Sequence, residues 1–228
     1  MNSQALIEND WRDRYEWPTE DTWLVDVARW VVNAFLRTAC KVDLVGLDRV
    51  SPTGPLIVAA NHLHSFDAFL VAAFFPRKLM FLARASAYRF PPVGWFLRMC
   101  GAFPITRGQA DQWSLNWSLE ILKQGKVVGI FPEGRCQRSN GMAVAKTGVA
   151  LIAYRAGAPI LPVAITGTEL LRHWPKGGKF AMGLRVGSVL EVEKIPEPNP
   201  EQLRLITDEV MYRIARLLPP SYQGVYRL

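Results

Sequence analysis

The chain has 228 residues, half of them apolar, which suits one domain or a domain with a small appendage and excludes a disordered, collagen-like or low-complexity protein. Its net charge is +7, yet residues 1–22 hold six acids against two arginines, a net of −4 that leaves +11 on the remainder, and from Arg77 to Arg107 six basic residues occur with no acid. That field suits an anionic partner such as phosphate groups, acidic lipid, nucleic acid or an acidic carrier protein, and it is also what a basic solvated surface looks like.

The acidic N-terminus has no basic-then-apolar leader pattern. Residues 23–40, "WLVDVARWVVNAFLRTAC", fall short of about 18 uninterrupted apolar residues, so no clean membrane span is expected. Asp26, Arg29, Asn33 and Arg37 recur at helical spacing and form one polar stripe on a wide apolar surface bearing Trp23, Trp30 and Phe35. Such a helix either docks on the domain or lies in a bilayer interface with its polar stripe to water. Trp11 and Trp17 nearby suit the interfacial zone. The chain therefore divides into residues 1–41, an acidic segment plus amphipathic helix, and a domain over 42–228.

"KVDLVGL" follows as a short strand and "SPTG" as a turn. "PLIVAA" is a fully buried strand that runs into "NHLHSFD", after which "SFDAFLVAAFF" is helical and Pro76 closes it; Ser65 is the candidate cap. "KLMFLA" is another buried strand. "DQWSLNWSLEILKQG" places Trp113, Trp117 and Ile121 on one helical face, with Asp111 capping its start and Gly125 its end. "KVVGIFPEG" is a strand broken at Pro132, "TGVALIAYRAG" a helix stopped by Gly157, and "PILPVAIT" the next strand. "LRVGSVLEV" alternates weakly, as an edge strand would. Asn199, Pro200 and Gln202 then supply an N-cap, a proline at the first helical position and a capping box for a helix turning Leu203, Ile206, Val210, Ile214 and Leu217 inward. Buried strands alternating with helices predict an α/β fold: a mixed, largely parallel sheet covered by helices on both faces, preceded by the amphipathic N-terminal helix. Ligands in such folds sit at the carboxyl ends of the strands.

"NHLHSFD" falls at one of those ends. A histidine is a workable base at neutral pH, and a carboxylate on its far nitrogen fixes the tautomer and balances the imidazolium. His62 and Asp67, five residues apart across a strand-to-helix turn, can meet; His64 competes for the same role. No G-x-S-x-G elbow is present, so Ser65 is a poor nucleophile. Arg107 in "GAFPITRG" and the glycine- and arginine-bearing "FPEGRCQRSNG" can bind an anion. No phosphate loop of the G-x-x-x-x-G-K-[ST] type exists, and "GGKFAMG" does not fit a dinucleotide fingerprint. Cys40, Cys100 and Cys136 include no CxxC pair, and only three histidines are available, so neither a zinc site nor a disulfide framework is expected and a reducing compartment fits. No nucleic-acid-binding motif accompanies the basic charge.

In order, "NHLHSFD", "GAFPITRG", "FPEGR" and "APILPVAITG" resemble the four blocks of the glycerolipid acyltransferase family, whose best-known members are bacterial 1-acylglycerol-3-phosphate acyltransferases. The resemblance covers Val42 to Thr166 well and the C-terminus more loosely. It implies that His62 deprotonates an acceptor hydroxyl, that Asp67 orients His62, and that the hydroxylate attacks an acyl thioester of coenzyme A or acyl carrier protein with no acyl-enzyme and no bound cofactor or metal. It further implies an acceptor and phosphate site of Arg107, Glu133, Gly134, Arg135, Arg138 and Lys146. Gly101, Phe103, Phe131, Pro132, Pro159 and Pro162 would form the acyl channel or donor side. The implied acceptor is a lysophospholipid, foremost 1-acylglycerol-3-phosphate giving phosphatidic acid. Implied partners are a lipid surface on the cytoplasmic face of the membrane, where the protein is peripheral or monotopic, and an acidic acyl carrier protein; no nucleic acid is implied. The third block departs from the family pattern, continuing Arg135, Cys136, Gln137, Arg138, Ser139, which bears on acceptor identity. A glycolipid or acylated amino acid acceptor, or a non-catalytic lipid-binding relative, are the alternatives.

Overall fold

The computed structural model describes residues 10–20, 23–106, 111–137, 141–173 and 180–228. Its frame is a seven-stranded sheet in the order β1-β7-β6-β2-β5-β3-β4. The strands are β1 (Cys40–Val45), β2 (Leu56–Ala60), β3 (Leu79–Arg84), β4 (Phe103–Ile105), β5 (Val127–Ile130), β6 (Ile160–Thr166) and β7 (Phe180–Val186). Strands β6, β2, β5, β3 and β4 are parallel; β7 pairs antiparallel to β6, and β1 runs parallel to β7. The mixed, largely parallel sheet expected from the sequence is the one observed.

Helices cover both faces because the central strands are apolar on both sides; every residue of β2 is buried. Helices α1 (Trp23–Ala39) and α2 (Asp67–Phe74) cover one face, packing on Leu56, Val58, Ala60, Phe81 and Val163. Helices α4 (Gln112–Lys123), α5 (Gly148–Ala156) and α6 (Pro200–Leu217) cover the other, over Ile57, Ala59, Val128 and Ile160. The caps read from the sequence form. Asp111 accepts from the Ser114 amide at 3.1 Å, and Asn199 and Gln202 exchange 2.8 Å bonds that close the capping box.

Three local expectations change. "LRVGSVLEV" is not an edge strand: β7 starts four residues earlier, at Phe180, and lies between β1 and β6, while Leu190 makes only an isolated bridge to Ile160. Ser65 caps nothing, because the Asp67 carboxylate takes up the amides of that turn. Trp17 packs inward against Tyr88 and Trp113, each ring at 5.6 Å, and donates its indole N–H to the Arg12 carbonyl. Helix α3 (Pro91–Met99) and the three-residue β4 come in addition to the elements read from the sequence. Pro91 and Pro92 look like a break, but a proline is well accommodated in the first helical turn, where its missing N–H costs nothing.

Helix α1 settles its own orientation. Arg29 donates to the Phe75 carbonyl at 2.5 Å and Asn33 to the Ala73 carbonyl at 3.4 Å. Two residues of the polar stripe thus satisfy carbonyls left open at the end of α2. Val25 and Leu36 are buried, and Trp23, Val27, Trp30, Val31 and Phe35 face outward. The stripe divides: Arg29 and Asn33 face α2, Asp26 and Arg37 are exposed beside the outward tryptophans, and Val32, Leu36 and Ala39 pack on the core. Among the described residues no helix is long and apolar enough to cross a membrane.

Candidate active site

Strand β2 ends at Ala60 in the middle of the sheet, and the chain folds straight back on itself through residues 61–67. Asn61 pins the departure: its side-chain amide bonds the Ile165 carbonyl at 2.9 Å and accepts the Ile165 N–H at 2.7 Å. The Asp67 carboxylate closes the turn. Its Oδ2 accepts from the amides of Leu63 at 2.6 Å and His64 at 2.9 Å and meets His62 Nδ1 at 2.8 Å. Its Oδ1 accepts from the Thr168 hydroxyl at 2.5 Å. Five residues of separation therefore work because the turn winds around its own aspartate. His64 is not the partner; its Nδ1 accepts from the Phe66 amide at 3.3 Å.

His62 is buried, 7% exposed. Phe131, just beyond β5, stacks on the imidazole at 4.1 Å and 13°, and Phe81 stacks on Phe131 at 5.5 Å. Glu133 Oε1 accepts the His62 amide and Oε2 the Ala143 amide, both at 2.9 Å, while the Gln137 amide donates to the His62 carbonyl at 2.8 Å. The loop after β5 is thus bolted to both backbone groups of the histidine. Burial pushes the Glu133 carboxyl up, and the two amides only partly offset that. Cys136 Sγ lies 3.1 Å from His62 Nε2. Burial disfavours the imidazolium, but the hydrogen bonds and charges of Asp67 and Cys136 outweigh it and raise the His62 pKa to about 9. The Cys136 thiol shifts the other way: burial raises its pKa, and the facing imidazole overcomes that and lowers it.

Of the residues singled out in the sequence, His62, Asp67, Phe131, Pro132, Glu133 and Gly134 come together here. Gly134 has a φ of +69°, and a Cβ there would lie 3.3 Å from the Lys146 side chain, so glycine fits and a bulkier residue would crowd the lysine. Arg135 and Lys146 are exposed beside it and form a cationic rim. Glu133 contacts backbone amides rather than open space. Arg107 and Arg138 lie outside the described residues. Gly101, Phe103, Pro159 and Pro162 are placed elsewhere. Phe103 is buried on the opposite face of the sheet. Gly101 lies near the amino end of β3, where a Cβ on it would come within 3.1 Å of the Lys78 side chain. Pro159 precedes β6 at the sheet's amino end, six strand positions below His62 or about 20 Å at 3.3 Å per residue, and Pro162 pairs with Ala59 inside the sheet. Thr168 and Cys136 were not singled out as site residues. Thr168 is 101 positions from Asp67, and its only sequence signal is the "TG" that ends the fourth block, where Gly167, at φ +82°, turns the chain.

A histidine with an orienting carboxylate, a stacked aromatic wall and a cationic rim at the carboxyl end of a parallel sheet is an arrangement chemically able to take a proton beside an anion. The acyltransferase family model matches residues 41–166, more than half of the chain, and the chain belongs to that family. A 1-acyl-sn-glycerol-3-phosphate acyltransferase of Bacillus subtilis is 29% identical over 71% of this chain and 80% of its own length. The enzyme of the same name from Streptococcus pneumoniae is 28% identical over 71% of this chain and 60% of its own, and that from Chlamydomonas reinhardtii 27% over 81% and 55%. The chain thus spans a little over half the length of several curated relatives it matches. The crystal structure of the 1-acyl-sn-glycerophosphate (LPA) acyltransferase from Thermotoga maritima superposes with a TM-score of 0.63 at 24% identity, over 91% of this chain and 82% of that one, and it shares the fold.

Proposed function

We propose that this protein transfers a fatty acyl group from an acyl thioester, on coenzyme A or acyl carrier protein, to the free hydroxyl of a lysophospholipid, foremost 1-acylglycerol-3-phosphate. The observation that carries the reading is the buried 2.8 Å contact between His62 Nδ1 and Asp67 Oδ2 at the end of β2. Asp67 takes the Nδ1–H, which leaves Nε2 to receive the acceptor's hydroxyl proton, and it balances the charge that forms. The nucleophilic oxygen then attacks the acyl carbonyl and the donor thiol leaves. The named activity of the relatives supports both acceptor and product.

Arg135 and Lys146, with Arg107 and Arg138, supply the positive charge for the acceptor phosphate. The outward apolar face of α1 and the exposed Phe90, Trp95 and Phe96 at α3 support peripheral attachment to the cytoplasmic face of a membrane, where a lysophospholipid resides. The test is transfer of one labelled acyl chain, from coenzyme A and from carrier protein, to a panel of acceptors. Charge-assisted bonds to a phosphate are worth about 1.5–3 kcal/mol, so 1-acylglycerol-3-phosphate should exceed a phosphate-free lysolipid by about tenfold or more in kcat/KM. Equal use of both would contradict the phosphate site.

A further inference from the structure

Four cations converge at the amino end of the sheet, away from His62. Arg77 and Lys78 lead into β3, Lys126 leads into β5, and Arg29 reaches them from α1. Together with Thr19 and Glu20 they line a cavity of about 290 Å³, near the lower end of the range for small-molecule sites. All four are half-buried, and Glu20 is the one acid among the described residues that line the cavity. Val127, next to Lys126, pairs with Leu56, and His62 lies six positions further along β2, or about 20 Å at 3.3 Å per residue. The cavity is therefore separate from the site at His62.

These cations are held in place largely by neutral groups. The Arg77 guanidinium donates to the carbonyls of Gly54 at 2.7 Å, Gly125 at 2.8 Å, Ser51 at 3.2 Å and Thr53 at 3.4 Å. Burial pushes its pKa down, as it does for any cation taken from water. Arg29 bonds the Phe75 carbonyl and Lys78 the Glu20 carbonyl. Lys126 donates to the Thr19 hydroxyl at 2.9 Å and meets the Glu20 carboxylate, whose side chain is 83% exposed. An exposed carboxylate drawn onto the rim of a half-buried cationic cleft marks where an anion is favoured.

We propose that this cleft binds the phosphate of an anionic bilayer phospholipid, at a site distinct from the catalytic one, and that Glu20 competes with that phosphate for Lys126. A lipid rather than a free anion is favoured by what adjoins the cleft. Arg29 belongs to α1 and precedes Trp30, and Glu20 stands three residues before Trp23; both tryptophans face outward with Val27. Headgroup phosphates lie at the depth where interfacial tryptophans sit. Helix α1, 17 residues or about 25 Å long, runs from the cleft to the other end of the sheet. There β1 begins at Cys40 opposite Phe180, beyond the pairing of Gly183 with Thr166 at the carboxyl end of β6. A lipid held at one end of α1 fixes how the helix, and with it the site at the other end, meets the bilayer. The inference extends the membrane attachment read from α1 and does not depend on the chemistry at His62.

The probe is dihexanoyl phosphatidylglycerol, neither acceptor nor product of the proposed transfer, titrated below its micellar concentration into the full chain and followed by calorimetry. Inorganic phosphate is titrated in parallel. The expected result is saturable binding of one lipid per chain, with inorganic phosphate at least about tenfold weaker. Each charge-assisted bond to a phosphate is worth about tenfold or more, so Lys78→Gln/Lys126→Gln should weaken lipid binding by at least about tenfold. Glu20→Gln removes the competitor and should tighten binding several-fold, a gain that a damaged fold would not produce. Lys41→Gln, an exposed lysine on β1, should bind within twofold of wild type. The double variant should keep its kcat/KM for transfer between soluble short-chain substrates. Inorganic phosphate as tight as the lipid would make this a free-anion site and overturn the proposal. So would a loss in Lys41→Gln equal to that of the double variant, which is diffuse surface charge, or no gain in Glu20→Gln. Loss of soluble transfer in the folded double variant would show that the two sites are one and overturn it as well. Absence of transfer in wild type, with lipid binding and its variants as expected, would defeat the acyl-transfer reading and leave the cleft standing.

Discussion

Asp67 accepts four hydrogen bonds in a fully buried position, from two amides, an imidazole and the Thr168 hydroxyl. Removing one donor there leaves a carboxylate oxygen buried and unpaired, which costs about 1–3 kcal/mol. Thr168→Val, nearly the same volume, should therefore lower the melting temperature by several degrees and also slow transfer, while Thr168→Ser should restore both. A Thr168→Val protein with unchanged melting and rate would show that the hydroxyl holds nothing. At this scale the sequence was legible where partners share one turn. His62 and Asp67 can be paired on paper because the turn between them is short, and Gly134 because glycine follows a strand end. Thr168 and Cys136 could not be paired with the site, since only the pairing of β6 and β5 with β2 carries them to it.

Helix α1 shows an amphipathic pattern whose period was legible while its placement, on the domain or in a bilayer interface, was left open. The spacing of Asp26, Arg29, Asn33 and Arg37 does mark one stripe, and the helix forms over Trp23–Ala39. The stripe's polar residues could have met either the domain or water. Here α2 ends against α1 with open carbonyls, and Arg29 and Asn33 answer them. Nothing in the sequence of α1 alone announces that demand. The consequence is an exposed face with Trp23 and Trp30 about 70% accessible. Replacing both with glutamate should sharply reduce flotation with anionic phospholipid vesicles and leave the melting temperature within a degree or two, because exposed residues contribute little to stability. Unchanged flotation would remove α1 from the membrane contact.

Across the whole molecule, the parallel core β6-β2-β5 makes the site. Three adjacent strands end at the same edge, and each delivers one part: Thr168 after β6, His62 and Asp67 after β2, and the Phe131–Gln137 loop after β5. The strands and most helices were legible from apolar runs, caps and glycine stops, because local patterns encode them. The order of strands was not, because each of these strands is greasy on both faces and carries no mark of its neighbours. That order decides that Pro159, Pro162 and Phe103 serve the sheet while Cys136 faces the imidazole. The proposed transfer depends on His62 taking a proton from the acceptor. The direct measurement is kcat/KM for acyl transfer to 1-acylglycerol-3-phosphate by wild type and His62→Ala, with folding verified by circular dichroism. A general base contributes about 10²–10⁴ in rate, so the variant should fall by at least about 10²-fold; a folded His62→Ala protein turning over within a few fold of wild type would contradict it.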